Sequence, residues 1–199
     1  MTLAASACMA VRLEHNPPEI DAATLERCRA GDAMAVRLFV TRHQHMVFAF
    51  LSRTLGAGPH VEDLAQEVFL RVFRALPRYD GAGTARLSTW VLAIASHVAI
   101  DARRKRKIPT STLDPEVTVL DPGTPETEQR RIEIGRAVAR AAAALPDEQR
   151  DVFVLAELHG LEMRDIAAVL GVGENTVKTR LFRARARLRT SLRGVWEDT

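Results

Sequence analysis

Between Glu162 and Leu188 the chain reads EMRDIAAVLGVGENTVKTRLFRARARL, a stretch whose cations recur at helical spacing. At about 100° per residue, Val177, Leu181, Ala184 and Leu188 fall on one narrow apolar stripe, which fixes the buried side. The outward side then carries Lys178, Thr179, Phe182, Arg183 and Ala186, flanked by Arg180, Arg185 and Arg187. Arginine and lysine so placed can neutralise phosphates or chelate guanine edges, Thr179 can hydrogen-bond to either, and Phe182 can meet a thymine methyl. A shorter helix bearing Ile166, Ala167 and Leu170, then a turn at Gly171, precede it with the spacing of a helix-turn-helix. That motif alone predicts binding to duplex DNA and no more.

A second group precedes it in the chain. Trp90, Ile94, His97, Asp101 and Arg104 share one helical stripe that leads into the basic run Arg103 to Lys107, RRKRK. Val91, Leu92, Ala95, Val98, Ala99 and Ala102 make the broad apolar side of the same helix. An aromatic platform beside cations suits unstacked bases whose phosphates follow the charge, so the implied ligand is single-stranded. Trp90 as an ordinary core residue, and the basic run as a solvated helix end favoured by the macrodipole, stay open as plainer readings. A third strip, Asp63, Gln66, Glu67 and Leu70, lies opposite the inward-facing Val61, Leu64, Ala65, Val68 and Val72. A leucine framed by acids fits a basic protein partner and would repel DNA; an ordinary acidic helix face is the alternative.

The elements that must position these groups are helical throughout, because no alternating apolar run is long enough for a strand. The fold class is therefore all-α. The 199 residues suffice for two modest domains. Helices are predicted over about 22–30, from Asp32 as N-cap to Leu55, over 61–75, and from Ser88 as N-cap into the basic run. Together they make a first domain, 22–107, behind an N-terminal extension, 1–21, that is expected to be poorly ordered. Residues 108–123 hold Pro109, Pro115, Pro122 and several acids and read as a linker. Thr124 with Pro125 opens a helix to about Ala144, Pro146 starts another ending near Gly160, and the helix-turn-helix completes a second domain, 124–193, before a short tail, 194–199.

The composition, 47% hydrophobic and 27% charged, is that of a globular chain. Its net charge of +3 is segregated: two basic patches flank the acids Asp114, Glu116, Asp121, Glu126 and Glu128. Two grips on one polyanion follow from that pattern. With only Cys8 and Cys28, neither a disulfide framework nor a cysteine zinc site is expected. His15, His43, His45, His60, His97 and His159 are scattered, and no HExxH or paired-carboxylate site appears, so an enzyme, a metal site and a cofactor are all disfavoured. The first ten residues lack a basic n-region, and nothing approaches the ~20 apolar residues of a membrane span. The expected compartment is the cytoplasm.

The runs DLAQEVFLRVF, PRYDGAGTARLSTWVLAIASHVAIDARRKRK and LPDEQRDVFVLAELHGLEMRDIAAVLGVGENTVKTRLFRARARLR, in that order, resemble regions 2 and 4 of extracytoplasmic-function sigma factors, bacterial promoter-specificity subunits of RNA polymerase. The resemblance covers about Leu25 to Arg189 and implies a region 2-like helical bundle joined by the acidic, proline-containing linker to a region 4-like helix-turn-helix. It implies that Asp63, Gln66, Glu67 and Leu70 dock on the β′ clamp of the polymerase core. Tyr79, Trp90, Ile94 and His97, with Arg103 and Arg104, would open and read the minus-10 element. Lys178, Thr179, Arg180, Phe182, Arg183 and Arg185 would read the minus-35 element as duplex, and the second domain would also touch the β flap. It further implies placement of the linker in the RNA exit channel and control by an anti-sigma factor. Three departures stand out: a longer loop between Tyr79 and Trp90, His97 where asparagine is common, and Glu162, Met163 and Gly173 in place of serine, tyrosine and proline. The first two bear on minus-10 base preference. A free-standing regulator of duplex DNA is the rival class, and it leaves the Asp63, Gln66 and Glu67 strip without a purpose.

Overall fold

The computed structural model describes residues 19–80, 86–105 and 125–193. Within them all regular structure is helical: α1 (Ala22–Arg29), α2 (Ala33–Leu55), α3 (His60–Ala75), a 3-10 turn (Leu76–Arg78), α4 (Leu87–Lys105), α5 (Pro125–Ala143), α6 (Asp147–Phe153), α7 (Met163–Leu170) and α8 (Glu174–Ser191). The backbone widens into a π turn over Val154–Leu158 before α7. The expected linker and the expected boundaries at 107 and 124 lie outside the described residues, as do the loop residues 81–85 and the tail.

Local chemistry sets the helix starts in the first half. The Asp21 carboxylate accepts from the Thr24 backbone N–H at 2.8 Å and from its hydroxyl at 2.7 Å, opening α1. Asp32 does the same for α2 through the Met34 and Ala35 amides. These contacts hold both carboxyls below the usual aspartate range, for Asp21 chiefly through the Thr24 hydroxyl and for Asp32 through the Ala35 amide. Gly31 turns between the two helices at φ 78°, a left-handed conformation that a side chain would strain.

One prediction fails here. Ser88 does not cap α4; the helix begins at Leu87, the Trp90 amide bonds the Arg86 carbonyl, and Ser88 is buried inside the first turn. Leu87 must reach the core, which pulls the helix start back past the serine. The expected extension also ends earlier than residue 21. Ile20 is buried, Glu19 pairs with Arg86 at 3.0 Å, and its carbonyl accepts from Arg42, so 19–21 are anchored; the rest of the extension, 1–18, lies outside the described residues.

In the first half α2, α3 and α4 pack on one another around Phe39, Phe50, Leu51, Val68, Val72 and Leu92, all fully buried. His43 sits in that core with its ring stacked on Phe39 at 4.5 Å. Its Nδ1–H donates to the Phe39 carbonyl at 2.9 Å, and burial pushes its pKa down, so the ring is held neutral. In the second half α6, α7 and α8 enclose Val152, Leu155, Ile166, Val177, Leu181 and Ala184. The halves meet where α4 packs along α7 and where the end of α2 meets α5 and α6.

Candidate nucleic-acid interface

The helix-turn-helix forms as its pattern demands. Val177, Leu181, Ala184 and Leu188 of α8 are all buried, and Gly171 makes the turn at φ 63° with its N–H on the Ala167 carbonyl. The buried stripe turns Lys178, Thr179, Phe182, Arg183 and Ala186 outward. Phe182 is 73% exposed, so its ring is not packed away against a neighbouring helix. A phenylalanine left in water among cations is a surface awaiting a partner. Thr179 meanwhile donates to the Asn175 carbonyl at 2.9 Å, which leaves its oxygen free to accept. Two of the three flanking arginines are engaged within the protein: Arg180 with Glu148 at 2.6 Å and Arg185 with Glu157 at 2.5 Å.

In the first half, Val91, Leu92, Ala95, Val98, Ala99 and Ala102 are buried as predicted. The other stripe of α4 lies at the surface. Trp90 and Ile94 are half-buried, while His97 and Arg104 are exposed. The Trp90 ring lies against Tyr79, with centroids 4.8 Å apart and planes tilted by 41°. Trp90 is therefore neither plain core nor free: one side rests on the fold, and Tyr79 and Trp90 make a joined aromatic ledge. Arg103 departs from this group. Its side chain points into the junction of the two halves, where it meets Asp151 at 2.5 Å and Asp147 at 3.7 Å. Burial is the largest influence and opposes its charge, but the Asp151 hydrogen bond and the negative charges of Asp151 and Asp147 together outweigh it and hold the Arg103 pKa above its ordinary value. The same burial pushes the Asp151 carboxyl up, against the pull of Arg103.

On α3, Asp63, Gln66 and Leu70 are exposed and Glu67 is half-buried, with Leu70 at 53%. Val61, Ala65, Val68 and Val72 are buried opposite them. Arg71 bonds Glu67 at 2.7 Å and Asp101 of α4 at 3.0 Å, tying this strip to α4. That arginine holds the Asp101 carboxyl below its usual range.

Residues 39–108 match the family described as Sigma-70 region 2, and residues 135–188 match Sigma-70, region 4. The sigma-E factor of Escherichia coli (strain K12), an ECF RNA polymerase sigma factor, is 33% identical over 175 residues, covering 83% of this chain and 90% of its own. The chain belongs to the sigma-70 family, as an extracytoplasmic-function sigma factor. The RNA polymerase sigma-H factor of Pseudomonas aeruginosa is similar to it as well, at 32% identity over 84% of this sigma factor and 91% of the relative. Two solved structures share the fold. CnrH in complex with the cytosolic domain of CnrY matches with a TM-score of 0.60 at 23% identity, over 86% of this chain and 96% of that one. The sigma factor RpoE of Bartonella quintana, in complex with the anti-sigma factor NepR, matches with a TM-score of 0.62 at 20% identity, over 79% and 96%.

As a sigma factor the chain is a transcription protein rather than a classical enzyme. No helix among the described residues is long and apolar enough to cross a membrane. Among those residues no cluster of histidine, cysteine, aspartate and glutamate is disposed to hold a metal ion.

Sequence reasoning missed the residues at the junction of the halves. Arg150 is buried and donates to four carbonyls, those of Ala142, Ala143 and Leu145 at the end of α5 and of Thr54 at the end of α2. Its only sequence signal is a lone arginine at a position where the helix turns inward.

Proposed function

We propose that the first half of this sigma factor captures unpaired minus-10 bases while the second half holds the minus-35 duplex, both carried on the polymerase core. The roles are assigned residue by residue. Lys178, Thr179, Phe182 and Arg183 read the major groove, with Arg180 and Arg185 as further candidates once released from Glu148 and Glu157. Tyr79, Trp90, Ile94 and His97 receive flipped bases, and Arg104, with Arg103 when freed, follows the phosphates. Asp63, Gln66, Glu67 and Leu70 dock on the β′ clamp, with the second half also touching the β flap. The division follows 22–107 and 124–193. An anti-sigma factor, as in the solved complex of RpoE with NepR, controls access to these surfaces.

The observation that carries the reading is the face of α8, where a largely exposed Phe182 stands between Lys178 and Arg183 over a fully buried opposite stripe. The test is transcription in vitro with added core polymerase on a promoter library. The expected result is initiation from one sequence class, lost in Leu70→Asp at the core-binding step and in Phe182→Ala or Arg183→Ala at the minus-35 step. For Arg183 the loss corresponds to about 1–3 kcal/mol if the side chain meets a base edge. Unchanged promoter choice in both α8 variants would remove that face from the reading.

A further inference from the structure

Residues 19–29 put little into the core and much into one neighbourhood. Of the residues of α1 only Cys28 is buried, and a helix of eight residues has scant stability of its own. Charged side chains of this segment nevertheless reach far along the chain. Arg29 donates from Nε to the Leu76 carbonyl at 3.2 Å and from Nη2 to the Tyr79 carbonyl, 47 and 50 residues on, while Glu26 holds its Nη1. Just ahead of α1, the Glu19 carboxylate accepts from Arg86 at 3.0 Å, 67 residues on. Buried Ile20, and Arg42 donating to the Glu19 carbonyl at 3.1 Å, anchor that carboxylate on α2.

These contacts hold the aromatic ledge from both sides. Arg29 fixes the backbone of Tyr79 where the 3-10 turn ends, and the Leu76 carbonyl accepts from the Tyr79 amide at 3.1 Å as well as from Arg29. Arg86 stands one turn ahead of Trp90, whose amide donates to the Arg86 carbonyl at 3.1 Å. The Tyr79 phenol also feels this segment: burial pushes its pKa up first, the Glu19 charge adds to that, and Arg29 opposes it.

We propose that Glu19 and Arg29 are positioning residues for base capture, fixing the Tyr79 and Trp90 rings in the arrangement that receives the unpaired minus-10 bases. This rests on the roles given above to Tyr79 and Trp90. Neither positioning residue has to touch DNA. A stacking platform binds well when its rings are already ordered, because each side chain that must be ordered on binding lowers affinity roughly two- to twelvefold. Arg29 suits the task through its planar fork, which reaches two carbonyls of one turn at once. Glu19 acts one step further out: it holds Arg86, and with it the first turn of α4 on which Trp90 stands.

The test uses the full-length chain assembled with core polymerase on a promoter selected from the library above, with 2-aminopurine in the minus-10 element of the non-template strand. Arg29→Met and Glu19→Gln should each lower the closed-to-open equilibrium constant, read by fluorescence, by about fivefold. Discrimination against a wrong minus-10 base should relax with it, while core affinity and minus-35 duplex binding by the holoenzyme stay at wild-type values. Arg29→Lys should recover part of the loss. Glu19→Gln combined with Arg86→Gln should cost no more than the costlier single change, since the two form one pair. A Glu19→Gln protein that opens the promoter as well as wild type, or better, would overturn the proposal; so would equal losses in core binding, duplex binding and opening. If Arg29→Met fails to fold, Glu19→Gln carries the test, since that carboxylate is 46% exposed. Trp90→Leu, run beside them, separates the two possible failures. Opening lost in Trp90→Leu but kept in Glu19→Gln and Arg29→Met sinks the positioning role alone, whereas opening kept in Trp90→Leu sinks the role of the ledge beneath it.

Discussion

Replacing Arg150 with methionine keeps the aliphatic stem and deletes the guanidinium. Four backbone carbonyls then lose their donor, three of them at the end of α5 and one, Thr54, at the end of α2. Hydrogen bonds from a charged donor contribute about 1.5–3 kcal/mol each. Against that stands the desolvation of the guanidinium, a cost of several kcal/mol that also lowers its pKa. The net loss should be about 3–5 kcal/mol, and it should fall unevenly, because three of the four acceptors belong to the second half. Native-state hydrogen exchange read by mass spectrometry resolves this. Amides of α5 and α6 should exchange roughly 150- to 5,000-fold faster, with α2 and α3 much less affected. Arg150→Lys should recover only part, since an ammonium offers three donors and no planar fork. A change of under about threefold at α5 and α6, or acceleration shared equally by α2 and α3, would refute the assignment of Arg150 as the fastener of the second half.

Asp32→Ala removes the side-chain acceptor for Met34 and Ala35 and should lower stability by about 1 kcal/mol in urea denaturation. His43 is neutral in the fold with its pKa below the ordinary 6.5, so the unfolded chain takes up the proton first. Its contribution is full above pH 6.5 and is lost as pH falls through the depressed folded value; urea midpoints from pH 7.5 to 5 should decline, and the decline should flatten in His43→Gln. Phe182→Ala, at a side chain 73% exposed, should leave the urea midpoint unchanged to within about 0.5 kcal/mol while promoter-duplex affinity falls.

The parts of this fold visible in the sequence are those governed by one helix at a time. The stripe Val177, Leu181, Ala184 and Leu188 is buried because a 3.6-residue period leaves no other side for it, and the outward set on α8 follows. The Asp32 cap and the Gly31 turn are likewise local and form where the pattern puts them. What stayed hidden depends on groups far apart in the chain. Arg103 belongs by its number to a basic run, yet a carboxylate 48 residues away decides where its side chain goes. Arg150 is invisible for the same reason, since its fourth acceptor lies 96 residues earlier. The π turn at Val154–Leu158 is set by Leu155 and Leu158 both reaching the core, which spacing alone does not reveal. Ser88 looked like a cap because its chemistry suits one; burial of Leu87 overrode that local preference.

An aromatic ring kept in solvent on α8 also leaves a calorimetric mark. Water ordered over Phe182 is released only when a groove closes on it, so engagement of the duplex should lower the heat capacity of the system. Salt titration cannot mimic that signal, because counterion release tracks charge rather than apolar area. The single side chain thus separates docking in register from mere electrostatic adhesion along any stretch of DNA.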